Sequence, residues 1–111
     1  GYGGRRLRER HPHPLDGPPP PVPVLLARIE AAGEPGDPDA LRAALRWFGL
    51  RRRGPVERLA PLAAHPDPTV RGELVWAVQG WSSPGVAELL DTLAEDPHPD
   101  VREAVADVRE P

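Results

Sequence analysis

His65-Pro66-Asp67-Pro68-Thr69-Val70-Arg71 returns 31 residues later as Asp96-Pro97-His98-Pro99-Asp100-Val101-Arg102. In each copy a side chain able to accept a hydrogen bond stands just before a proline. That is the order in which a helix begins, because the acceptor caps free amides and proline at the first helical position needs no donor. The flanks repeat at the same offset: Leu59 and Leu62 map onto Leu90 and Leu93, Glu57 onto Glu88, Ala63 onto Ala94, and Leu74 onto Val105. A looser copy lies upstream in Asp37-Pro38-Asp39-Ala40-Leu41-Arg42, with Arg42 29 residues before Arg71 and a connecting stretch, 32–36, that is longer by four residues.

The periodicity predicts helices over 23–32, 38–48, 55–64, 68–79, 84–95 and 99–109. Val70, Leu74, Ala77 and Val78 fall on one stripe of the fourth, Leu41, Leu45 and Phe48 do so in the second, and Val101, Val105 and Val108 in the sixth. No strand pattern is present. One helical pair of this size cannot bury its apolar stripe alone, so three stacked pairs, each sealing the next, form the smallest stable arrangement. The expected fold is therefore all-α: an α-solenoid of about three helical hairpins, near 22–50, 54–80 and 83–109, in a domain spanning 22–111.

This unit resembles the HEAT-like repeat, in particular the short variety of phycobilisome lyases and many bacterial proteins, whose second helix opens with Asp-Pro-x-x-Val-Arg. The resemblance covers residues 22–109. It is strong in the second and third units and looser in the first, where Leu41 replaces valine and the loop is stretched. It implies that Asp67, Arg71, Asp96 and Arg102 bond repeat to repeat, with Val70 and Val101 in the seam. A narrower likeness also exists: Val70-Arg71-Gly72 followed by Trp76-Ala77-Val78 is similar to the HEAT-like tail of bacterial epoxyqueuosine reductases, where that segment helps engage tRNA. Those enzymes carry their cobalamin and iron–sulfur chemistry in preceding domains, so by this likeness the chain is a tail without activity.

Composition narrows the chemistry. At 111 residues the chain supports one small domain, and with no cysteine it has no disulfide, thiolate nucleophile, cysteine-held zinc or iron–sulfur cluster. Of its 25 Leu, Ile, Val and Phe residues, 23 lie after residue 21. Residues 1–21 hold Arg5, Arg6, Arg8 and Arg10, then His11-Pro12-His13-Pro14 and the prolines 18–21. With so little apolar area to offset ordering entropy, this segment is expected to be a disordered Pro/Arg-rich arm leading into a stiffer polyproline stretch. Prolines 18–23 fit the loose pattern of ligands for SH3-like grooves, but a spacer explains them as well. All 14 basic residues are arginine, and Ala and Pro abound, a bias expected of a GC-rich bacterial genome. Apolar runs are too short for a membrane span, and the opening residues lack the order of a signal peptide, so a soluble, cytoplasmic protein with no membrane partner is expected. Because the first residue is Gly1, flanking sequence is expected as well.

Catalysis finds little support. The histidines are His11, His13, His65 and His98; the last two fall in interhelical turns, where a capping role suits them, and His11 with His13 supplies too few ligands for a metal. No Ser-His-Asp spacing, phosphate-cradling glycine loop or HExxH pattern occurs, and no cofactor is expected. Charge is more informative. Residues 1–58 carry 11 arginines and 7 acids, whereas residues 59–111 carry 3 arginines and 10 acids. Arg51, Arg52 and Arg53 form a compact cluster, joined by Arg42, Arg46 and Arg58, that suits a phosphate backbone or an acidic protein surface and equally suits a solvated loop. Aligning the second helices places Trp47 beneath Trp76 on the face that lines the concave side of such solenoids, with Trp81 one turn on and all three expected to be partly buried with exposed edges. Asp107 holds the matching position in the third unit. Two readings follow. In the first, a protein-binding adaptor uses Arg42, Arg46, Trp47, Trp76 and Trp81; in the second, Arg51, Arg52, Arg53 and the arm bind nucleic acid such as tRNA.

Overall fold

The computed structural model describes residues 17–110, and every regular element among them is a helix. The expectations for the first sixteen residues, including the disordered arm and the pairing of His11 with His13, lie outside the described residues. The elements are α1 (Val22–Ala31), α2 (Pro38–Phe48), α3 (Val56–Leu59), which runs on as a 3-10 segment (Ala60–Ala64), α4 (Pro68–Val78), α5 (Val86–Ala94) and α6 (Pro99–Arg109).

The second helices begin where the sequence places them. Asp37 accepts from the Ala40 amide at 3.0 Å, Asp67 from the Thr69 amide at 2.8 Å, and His98 Nδ1 from the Asp100 amide at 3.1 Å. In all three, proline follows the cap. The first helices depart from expectation for local reasons. Pro61 has no amide to give and its ring crowds the preceding turn, so the α geometry of α3 gives way to 3-10 at Ala60 instead of continuing to Ala64. Pro55 and Pro84 do not open their helices from within. Pro55 serves as the cap of α3, and α5 starts only at Val86, after Gly85 turns through φ 95°, a conformation that favours glycine.

Two layers result. α2, α4 and α6 lie side by side with α4 in the middle, while α1 packs on α2, the 3-10 segment on α4, and α5 on both α4 and α6. One continuous core fills the space between the layers. Val70 and Val101, the matching residues of the repeated motif, are both buried in it, together with Leu41, Leu45, Phe48, Leu74, Val78, Leu93 and Val105. Each such side chain contributes about 1.5–3 kcal/mol through removal from water. This seam is shared, so no hairpin has a core of its own.

Trp81 belongs to the core, which corrects the expectation of exposed aromatic edges. It is 6% exposed, meets the Phe48 ring edge to face at 5.9 Å, and donates its indole N–H to the Phe48 carbonyl at 3.3 Å. Gly54 is the other half of this joint. A Cβ there would lie 2.5 Å from the Trp81 ring, so only glycine lets the loop between the first two units pass over the indole.

Candidate interaction surface

The turns between helices carry the polar chemistry, and most of it is spent on joining repeats. Arg71 donates through Nε and Nη2 to both carboxylate oxygens of Asp96, at 2.8 and 3.1 Å, and through Nη1 to the His65 carbonyl at 2.6 Å. Arg71 and Asp96 are both buried. Asp96 also accepts from the His98 amide at 2.9 Å. Burial alone would raise the Asp96 pKa, but the Arg71 hydrogen bonds, the His98 amide and the Arg71 charge together hold it below its ordinary 3.8.

One unit earlier the same joint is built differently. The place of Asp96 is taken by His65, which cannot receive an arginine. Its Nε2 instead donates to the Gly36 carbonyl at 2.8 Å, while Nδ1 accepts from the Asp67 amide at 3.0 Å, so both ring nitrogens are engaged. Gly36 holds the position of His65 in the next turn, so His65 occupies the carbonyl that an arginine occupies one unit on. Arg42 is thereby diverted. It bonds the Thr69 hydroxyl, pairs with Asp39, and stands 3.7 Å from Asp67. Thr69 in turn donates its hydroxyl to Asp67 at 2.6 Å. That hydroxyl bond, opposed by partial burial and aided by the Thr69 amide and Arg42, lowers the Asp67 pKa. At the far end Arg102 bonds the Asp96 carbonyl at 2.6 Å, within its own unit, and remains exposed.

Arg42 therefore joins the first two repeats, which corrects its assignment to the open face. Trp81 leaves that face too, for the reason given above. Trp47 and Trp76 do lie at one register on neighbouring helices, each half-buried, with half-buried Asp107 at the same register of α6. Helical spacing puts Gly72 and Trp76 on the side of α4 opposite Val70, Leu74 and Ala77, away from the first-helix layer. Arg46 is half-buried on α2, Arg51 is half-buried in the following loop, and Arg52 and Arg53 are exposed there. Leu50, beside them, is 62% exposed. Glu103 is exposed on α6, whereas Glu73 of α4 is buried, and both were missed by the sequence reading. The signal was available: Glu73 stands at the register where α2 and α6 have Ala44 and Ala104, an acid where its neighbours need only a methyl group.

A second concavity, a groove of about 480 Å³, lies where the end of α1 and the 33–36 loop meet the 3-10 segment, lined by Ile29, Leu41, Leu62, Arg58 and His65. Arg58 at its rim pairs with Glu30. His65 at its base has no ring nitrogen left for proton transfer. Among the described residues no group of three or more His, Cys, Asp or Glu side chains is placed to hold a metal ion, and no helix is long and apolar enough to cross a membrane.

Hairpins stacked on a shared seam, bonded turn to turn by arginine, define an α-helical repeat protein. Residues 56–108 match the family model of HEAT repeats. The match spans the second and third units, in which the motif is full. No curated protein and no solved structure matches the chain.

Proposed function

We propose that this chain is a non-catalytic, cytoplasmic adaptor that binds protein through the open face of the second-helix layer, without a cofactor. The observation that carries the reading is the pair Trp47 and Trp76, half-buried at one register on adjacent helices and flanked by Arg46 on one side and Asp107 on the other. Large aromatics with a charged surround anchor protein interfaces, since they combine buried area with few rotors. Against an enzyme stands the state of the turn residues: His65 has both nitrogens engaged, His98 caps α6, and Asp67 and Asp96 are bound up in the joints. Arg51, Arg52 and Arg53 extend the surface at its first-unit edge and would favour an acidic rim on the partner. The same three arginines support nucleic-acid binding less well, because Glu103 and Asp107 lie on the same layer and repel phosphate.

A photo-crosslinking residue placed at position 47 or 76 tests the reading against a control at exposed Ala87 on the opposite layer. The expected outcome is a crosslinked protein partner from 47 and 76 alone, reproduced with that partner purified. Equal yields from position 87, or tRNA retained in a gel shift that collapses with salt, would contradict it.

A further inference from the structure

One arginine register recurs at Arg42, Arg71 and Arg102, and in the last it ends in an open fork. Arg71 sets the pattern. Its Nη1 donates to the His65 carbonyl of its own turn at 2.6 Å, while its Nε and Nη2 donate to Asp96 of the following turn at 2.8 and 3.1 Å. Arg102 repeats the first half, with Nη1 donating to the Asp96 carbonyl, again at 2.6 Å. Among the described residues no acceptor meets its Nε and Nη2, and the residue is exposed. Because Asp96 is buried, its carbonyl is a fixed anchor, and the guanidinium is held in the pose that receives a carboxylate one unit earlier.

The edge around this fork is not a bare apolar seam. Helical spacing puts Arg71, Val75 and Val78 on one side of α4, where all three are buried, and Arg102, Ala106 and Arg109 on the matching side of α6, where all three are exposed. Arg109 is engaged, pairing with Asp91 at 2.5 Å and donating to the Ala87 carbonyl at 3.4 Å. What the edge offers is one oriented arginine beside the methyl group of Ala106.

We infer that this end of the helix layer is a second docking surface, which takes a partner protein's turn carrying an aspartate or glutamate. The acid meets Nε and Nη2 of Arg102 as Asp96 meets those of Arg71. The inference uses the end of the layer rather than its open face and does not rest on the reading proposed for Trp47 and Trp76. A carboxylate fits because its two coplanar oxygens match the planar fork in charge-assisted bonds. A nucleic-acid backbone suits the edge less, since residues 59–111 carry 10 acids against 3 arginines. A second copy of this chain does not supply the acid in register. Gly36 stands where a stacked first unit would need it, and the Gly36 carbonyl already accepts from His65. The occupant is therefore a different protein.

A peptide copying residues 92–101 carries the Asp96 turn and serves as the probe. It is titrated into the isotope-labelled full chain, with the Arg102 Nε–H signal and the backbone amides followed by NMR. Saturable shifts are expected at the Arg102 Nε–H and at amides of 102–109, with those of Trp47 and Trp76 unmoved. Asp96→Asn in the peptide should weaken binding about tenfold. In the chain, Arg102→Gln should abolish the shifts, and Arg102→Lys, which keeps the charge but not the fork, should recover only a small part of them. Equal binding of the two peptides, an undiminished response in Arg102→Lys, shifts centred on Arg51, Arg52 and Arg53, or no shifts at all would overturn the proposal. So would Arg102 Nε–H shifts that follow chain concentration without peptide, which would make a second copy the occupant. None of these outcomes bears on crosslinking from positions 47 and 76, so the two readings stand or fall separately.

Discussion

The two joints of the solenoid use one arginine register and two chemistries. Between the second and third units, Arg71 meets Asp96 in a buried, bidentate pair; between the first and second, His65 stands where the acid would be and Arg42 settles for Thr69 and an outer contact with Asp67. The lesson is that a repeat can keep its geometry while the identity of one turn residue decides how tightly neighbours are joined.

The comparison breaks most visibly at Arg71. Arg71→Ala leaves Asp96 buried and unpaired, and a loss of about 3–5 kcal/mol in unfolding free energy is expected from denaturant titration. Replacing both partners with apolar residues of similar volume should restore much of it. Trp81→Ala opens a cavity in the core and should cost about 3–5 kcal/mol, whereas Trp76→Ala, on the open face, should cost clearly less while abolishing partner crosslinking. At the other joint, Arg42→Ala removes contacts that are partly open to solvent, and a loss of about 1 kcal/mol is expected by the same titration.

Acid sharpens the contrast more gently. Asp67 and Asp96 both titrate below 3.8, so the folded chain binds fewer protons than the unfolded chain as the pH approaches that value. Their contribution is complete above the unfolded value and fades as the pH falls through the folded one. Stability should therefore drop as the pH falls below about 4, and Asp96→Asn and Asp67→Asn should each flatten that fall.

Much of this fold was legible in residue order. The Asp-Pro and His-Pro starts, the 31-residue spacing and the apolar stripes place α2, α4 and α6 because capping and periodicity are local signals. What was not legible depends on contact between units. Trp81 reads as one of three equivalent tryptophans until Phe48 and Gly54 close around it, and Arg42 reads as a surface arginine until Thr69 is brought beneath it. Glu73 escaped notice because a lone acid on a helix is ordinarily solvated, and only packing shows that this one is not. The open face was half legible: the register of Trp47 and Trp76 follows from the offset, but the burial of Glu73 does not.

Native-state hydrogen exchange tests the central claim, that stacking through unequal joints makes one structure with a weaker first unit. The account predicts that amides of α4 and α6 open together at the highest free energy, that α1 and α2 open earlier, and that Arg71→Ala erases the difference. Equal protection across all six helices, or the slowest exchange in α1, would contradict it.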